Sequence, residues 1–359
     1  MNLHQGWNID FSLALHNRTG KYYIGRDLIL AHSDLIERVY YWRVAAPSPP
    51  DGMSARVLGR LLSIEHETRI AQPSLRAGLF RSKRPIVHLD PATVIHSRVS
   101  AEDIVVCHDM GPVTHPELFS PKVSELYVRA FDEIVRARAR LVCVSQATLD
   151  TFRGLYGDLP DQRVIYPAIR CEVHAEADEP VPGVGGRFFL TVGNIGRRKN
   201  QLNSIAAFER SGLVTKGWSY VLCGGREPGH EAVAERAART AGVTLLSYVS
   251  DAQLNRLYRR AEGFVLTSQL EGFGIPIAEA VAHGLIPLVS RGTVLEEVAG
   301  PGAFTADCRD IDSIADGLRA LAEADDVERS RRRSALAARA TRFTPQAFAD
   351  DWRRVLEDR

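Results

Sequence analysis

Short apolar runs alternate with longer amphipathic segments, and the alternation occurs twice along the chain. In the first half, FSLALH (11–16), ERVYYWRV (37–44), PIVHLD (85–90), IVVCHD (104–109), RLVCVS (140–145) and RVIYP (163–167) read as strands. Apolar positions at helical spacing predict helices near 22–33, 52–71, 120–139 and 146–157. Strands alternating with helices predict a parallel sheet covered on both faces. The pattern then breaks at 167–186, PAIRCEVHAEADEPVPGVGG, which carries Pro, Gly and acidic residues without periodicity and reads as an interdomain linker. It restarts with strands at RFFLTVG (187–193), WSYVLCGG (218–225), VTLLSYV (243–249), EGFVLTS (262–268) and LIPLVS (285–290). Helices are predicted near 199–210, 228–241, 251–260, 276–283 and 310–324, with a last amphipathic helix at 345–358. Two open α/β sheets in tandem place a ligand cleft at the carboxyl ends of their strands.

Length and composition agree with two domains: 359 residues, 45% apolar and 25% charged. The net charge of +1 argues against a nucleic-acid partner. Five cysteines, Cys107, Cys143, Cys171, Cys223 and Cys308, lie far apart without metal-ligand spacing and read as thiols of a reducing compartment. The N-terminus lacks the pattern of a signal peptide, and no apolar run reaches the ~18 residues of a membrane span. A cytoplasmic protein is expected. Only five lysines, Lys21, Lys83, Lys122, Lys199 and Lys216, stand against forty arginines, an imbalance that genome bias explains.

Three segments carry candidate chemistry. In SQLEGFGIPIAEAVAHGLIPLVS (268–290) a strand ends in a loop holding Glu271, Gly272, Phe273 and Gly274, and Pro276 opens a helix. The unpaired N–H groups of that helix and its dipole favour a phosphate. Glu271 before the helix and Glu279 in its first turn are expected to project to one mouth, where carboxylates bind vicinal hydroxyls. The plainer alternative is that Glu279 complements the helix dipole and Glu271 caps. In TVGNIGRRKN (191–200) a strand and a turn present Arg197, Arg198 and Lys199, cations that can neutralise a diphosphate; a solvated basic turn is the plainer reading for the arginines, and Lys199, a rare lysine in this chain, is the exception. In VVCHD (105–109) His108 and Asp109 end a strand and are expected to reach the cleft.

Together these segments resemble glycosyltransferase family 4, retaining enzymes with the GT-B fold. EGFGIPIAEA is similar to the family's Glu-x7-Glu motif, VGNIGRRKN to its phosphate-binding turn, and VVCHDMGPVTHPELFS to its His-Asp strand end. RLVCVSQATLDTF, RVIYPAI, SDAQLNRLYRRAEGFVLTSQLEGFG and TVLEEVAGPGAF, an acidic turn with Glu297, follow in family order. The resemblance implies two Rossmann-like domains facing each other across a cleft: 1–170 for the acceptor and 171–344 for the nucleotide-sugar donor. The C-terminal helix, 345–359, is expected to cross back to the first. It implies that Glu279 binds ribose and Glu271 binds donor sugar hydroxyls. Gly272, Phe273, Gly274 and Ile275 line the phosphates, the last three through their backbone N–H groups. Lys199 with Arg197 or Arg198 neutralises the diphosphate, and His108 lies at the reacting centre. Three places depart from the family pattern: Asn194 stands where an Arg is frequent, the proline of Gly284-Leu285-Ile286-Pro287 falls one place late, and no Gly-Gly follows the first strand. There the loop 16–21 offers Gly20 and Lys21 as a phosphate or acceptor loop.

The expected reaction is retaining hexosyl transfer, with mannose from GDP-mannose favoured, to a glycan or lipid-linked glycan in polysaccharide or lipopolysaccharide synthesis. No metal or other cofactor is expected, since cations and a helix N-terminus stabilise the leaving group. Asp310-Ile311-Asp312 reads as a helix cap and first-turn acid. Residues 52–84 hold Arg56, Arg60, Arg69, Arg76, Arg81, Lys83 and Arg84 interleaved with apolar residues, a local charge of about +5 that suits peripheral contact with an anionic membrane. An ordinary surface helix, apolar face inward, is the alternative. A nucleotide-sugar 2-epimerase on the same scaffold and a non-catalytic nucleotide-sugar binding protein remain competing readings.

Overall fold

The computed structural model describes residues 6–16, 20–71, 84–169, 179–246 and 249–358, and the chain divides into two compact units, 1–168 with 345–359 and 169–344. Unit 1 runs β1 Trp7–Asp10, α1 Gly20–Ala31, β2 Ile36–Tyr41, β3 Val44–Ala45, α2 Gly52–Ala71, β4 Ile86–His88, β5 Ile104–Cys107, α3 Gly111–Thr114, α4 Pro121–Ala137, β6 Arg140–Cys143, α5 Gln146–Tyr156 and β7 Gln162–Val164. Unit 2 runs β8 Arg187–Val192, α6 Gln201–Ser211, β9 Trp218–Cys223, α7 His230–Arg239, β10 Val243–Leu246, α8 Asp251–Arg260, β11 Gly263–Leu266, α9 Ile275–Ala282, β12 Pro287–Ser290, α10 Val294–Ala299, β13 Phe304–Ala306, α11 Ile311–Glu323 and α12 Asp326–Ala340. A last helix, α13 Pro345–Glu357, belongs to unit 1.

Unit 1 has the sheet order β3-β2-β1-β4-β5-β6-β7, parallel except for β3. Strand β5 and most of β6 are apolar runs, as in sheets covered by helices on both faces, whereas β1 buries Asn8 and Asp10. Val105, Cys107, Leu141 and Cys143 pack with Phe131 and Ile134 of α4 and Phe152 of α5. Serine caps start these helices: Ser120 accepts from Val123 N and Ser145 from Thr148 N. Helix α13 buries Phe348, Trp352, Val355 and Leu356, and the Trp7 indole donates to Leu356 O at 3.0 Å. Unit 2 is an all-parallel sheet in the order β10-β9-β8-β11-β12-β13, with Phe189 stacked on Trp218 at 4.5 Å and a capping box of Ser250 and Gln253 opening α8. In each order the chain reverses direction once beside its first strand, at β1/β4 and at β8/β11. Such switch points open a crevice at the strands' carboxyl ends.

Several expectations are corrected. The first strand is WNID, not FSLALH; residues 12–15 form a 3₁₀ turn because the Asp10 carboxylate accepts from Ser12 N at 2.9 Å and folds the chain back. The run 37–44 is a hairpin rather than one strand, turning at Trp42 with φ 61. TVLEEVAG is a helix, α10, not an acidic turn, and it is followed by a strand, β13, that the hydropathy pattern hid. Between the predicted helices at 310–324 and 345–358 the chain forms one more helix, α12. Of the expected linker, 170–178 lie outside the described residues, and Glu179 accepts hydrogen bonds from Ser250 and Gln253 of unit 2. Asp310 caps α11 through Asp312 N, and Asp312 pairs with Arg210.

Candidate active site

In unit 2 the site grows from the loops that follow β8 and β11. Past Val192 the chain stays extended beside the loop after β9, with Ile195 N donating to Gly225 O at 2.7 Å and Arg197 N to Pro228 O at 3.0 Å. It then winds into a 3₁₀ turn, Arg197–Lys199. Asn200, at φ 60, donates through Nδ2 to Thr267 O at 3.0 Å and to Cys308 O at 2.7 Å, which ties the turn to the end of β11. Lys199 is thereby only 6% exposed, and its ammonium donates to Oε1 of Glu271. Ser268 Oγ donates to the same oxygen at 2.8 Å, and Arg198 Nη1 lies 3.4 Å from Oε2. Arg197 is exposed. Burial pushes the Glu271 carboxyl up, but Lys199 and Arg198 outweigh it and hold it below its ordinary value.

Glu271 is therefore an ion-pair partner and not a helix cap. The N-cap of α9 is Gly274 at φ 89, where a Cβ would also fall 2.5 Å from Leu295 Cδ2. With no acidic residue in its first turn and no side chain on its cap, α9 turns the positive end of its dipole towards this loop, although Pro276 has no N–H and Ile277 N donates to Gly274 O at 2.8 Å. Phe273 turns its ring inward against Phe343 at 5.3 Å. Glu279 lies in the second turn of α9 rather than the first, so it does not complement the dipole. It accepts from Tyr258 Oη at 2.8 Å, and Tyr258 stacks between Phe264 and His283. Burial raises the Glu279 carboxyl, and the tyrosine hydrogen bond works against that rise. Glu271 and Glu279 thus have separate partners.

In unit 1, His108 follows β5 and is 5% exposed. Its Nε2 donates to Leu89 O at 2.7 Å, which leaves Nδ1 as a buried acceptor with no partner. Burial, then Lys21, lower the imidazole to about 4, so the ring is neutral at pH 7. Gly20 opens α1. Lys21 is not a free cation for phosphate: its ammonium sits 3.1 Å from Asp90, 3.2 Å from Tyr127 Oη and 3.9 Å from Asp109. Its charge is balanced inside unit 1 by carboxylates that no pattern near residue 21 announces. Ser268, Asn200 and Tyr258 escaped sequence reading as well; the dipeptide Lys199-Asn200 and the serine closing EGFVLTS were their only local signals.

Residues 176–341 match the family of glycosyl transferases group 1. The O-antigen chain mannosyltransferase B of Escherichia coli is 26% identical over 260 residues, 68% of either chain. The GDP-mannose:cellobiosyl-diphosphopolyprenol alpha-mannosyltransferase of Xanthomonas campestris is 28% identical over 228 residues, and the aligned part spans 61% of this chain and 57% of that one. Neither relative supports an epimerase. An alpha,alpha-trehalose-phosphate synthase (UDP-forming) from Burkholderia vietnamiensis shares the fold, with a TM-score of 0.62 over 94% of this chain and 86% of that one at 14% identity. Residues 176–341 thus match the glycosyl transferases group 1 model, and the chain as a whole shares the two-unit α/β architecture of the GT-B fold.

Proposed function

We propose that this protein is a retaining mannosyltransferase that moves mannose from GDP-mannose to a glycan or lipid-linked glycan in cell-surface polysaccharide or lipopolysaccharide synthesis. The observation that carries the reading is the buried Lys199–Glu271 pair, with Arg198, at the β8/β11 switch point beside the N-terminus of α9. Cations and the positive end of the helix dipole stabilise a departing diphosphate there, without a metal ion or other cofactor. Glu271 takes donor sugar hydroxyls and Glu279 the ribose hydroxyls. The names of the two mannosyltransferases support the choice of sugar and pathway.

The C1–oxygen bond to the diphosphate breaks, and a bond to the acceptor oxygen forms on the same face of the sugar. The acceptor's proton passes to the leaving phosphate oxygen. The protein works at the cytoplasmic face of the plasma membrane as a peripheral partner of anionic lipid. Met53, Val57, Leu61 and Ile64 support this: they make one exposed stripe on α2 beside the exposed Arg56 and Arg60, instead of turning into the core. Of the basic segment, Arg76, Arg81 and Lys83 lie outside the described residues.

Thermal shift with GDP, UDP, ADP and dTDP and their sugars tests the donor, since a ligand at 100 times its Kd adds about 2.7 kcal/mol. Stabilisation by GDP and GDP-mannose, and an alpha-linked product formed equally well in EDTA, are expected. A response to none of the nucleotides would refute the reading.

A further inference from the structure

Glu227, in the loop after β9, stands against the cationic turn without a role in the function so far described. Its position is built in. Glu227 N donates to Ile195 O at 3.0 Å, between the hydrogen bonds of Ile195 N to Gly225 O and Arg197 N to Pro228 O. A Cβ on Gly196 would fall 2.2 Å from Glu227 Cγ, so the glycine makes room for the glutamate stem. Gly196 itself is extended, with φ 173, and is needed for space rather than for conformation. The carboxylate is 15% exposed; its Oε2 lies 3.4 Å from Arg198 Nη2, and its Oε1 is buried without a hydrogen-bond partner.

Arg198 Nη1 donates to Leu270 O at 3.2 Å, and its guanidinium also lies between two carboxylates, Glu227 and Glu271, each at 3.4 Å, whereas Lys199 is held closely by Glu271. Two cations face two anions around the turn. A diphosphate that takes Arg198 as a partner meets Glu227 as a rival for the same guanidinium. We propose that Glu227 is a fixed counter-anion that competes with the nucleoside diphosphate for Arg198 and so weakens product binding and speeds its release. This rests on the reading that the turn binds the donor's diphosphate.

Glu227→Gln keeps the shape over Gly196 and removes the charge. Calorimetry with GDP and with guanosine, which lacks phosphate, separates charge from packing. GDP is expected to bind about tenfold more tightly to the variant, equivalent to about 1.4 kcal/mol. Guanosine affinity stays unchanged, and kcat falls with stronger inhibition by added GDP. In an Arg198→Gln background the same change has no effect on GDP, and this pair of variants also serves if Glu227→Gln alone is poorly folded. Unchanged or weaker GDP binding in Glu227→Gln, alongside weakened binding in Lys199→Met, overturns the competition. GDP affinity that Lys199→Met leaves unaltered overturns the diphosphate reading and this inference with it.

Discussion

Lys199→Met separates what the buried pair contributes to the fold from what it contributes to catalysis. Both side chains are 8% exposed, so the substitution leaves a buried carboxylate short of its nearest cation. Breaking a buried pair by removing one partner costs about 3–5 kcal/mol. Ser268 and Arg198 still serve Glu271, which places Lys199→Met near the low end, at about 3 kcal/mol. For a unit spanning 169–344, 1 kcal/mol moves Tm by about 2–4 °C, so a fall of about 6–12 °C is expected. Glu271→Gln strands the ammonium and should cost a similar amount. The double variant Lys199→Met/Glu271→Gln buries no charge from the pair and should recover about half of the summed single losses, a coupling of about 3 kcal/mol. Calorimetric melts of all three, with mannosyl transfer measured in parallel, make the test. Strictly additive losses would refute the mutual balance. A double variant that is stable and turns over normally would refute the catalytic role while leaving the structural one.

Three further outcomes are expected. Tyr258→Phe removes the hydroxyl that holds Glu279 and should raise KM for the donor about tenfold with little change in Tm, and it should narrow the preference for GDP over 2′,3′-dideoxy-GDP; an unchanged preference separates Tyr258 from ribose binding. Burial holds the folded His108 imidazole down at about 4, against an ordinary value of 6.5, so between these values the unfolded chain binds the extra proton and stability falls as pH falls; His66, lowered likewise, adds to the slope, so His108→Gln should make Tm fall less steeply with pH over that window without levelling it, and an unaltered slope would count against the buried neutral ring. Replacing Met53, Val57, Leu61 and Ile64 by serine should abolish sedimentation with phosphatidylglycerol vesicles, and a parent protein that does not sediment would end the membrane reading.

Buried strands are legible where their runs are almost wholly apolar; IVVC and RLVC are cases. WNID was missed because Asn8 and Asp10 interrupt an equally buried strand, and their polarity reads as loop. At the site, local motifs announced Glu271 and Lys199 separately, but not that one neutralises the other across 72 positions. The same holds for Lys21, whose partners Asp90 and Tyr127 arrive from the loop after β4 and from α4. Side chains on one loop or one helix turn are readable locally. Charges that meet only through sheet order are not, and Glu227 belongs to that second group.

The packing of α13 on unit 1 has a consequence for how the protein is made. Unit 2 is continuous in sequence, whereas unit 1 is closed by a segment that follows all of unit 2. A chain leaving the ribosome can complete unit 2 while Trp7 still waits for Leu356 and while the apolar side chains under α13 stay uncovered. The earlier-synthesised unit is then the later to finish, which reverses the usual N-terminal-first order. A stop codon before residue 345 would leave unit 2 whole and strike unit 1, so the damage would appear at the opposite end of the sequence from the lesion.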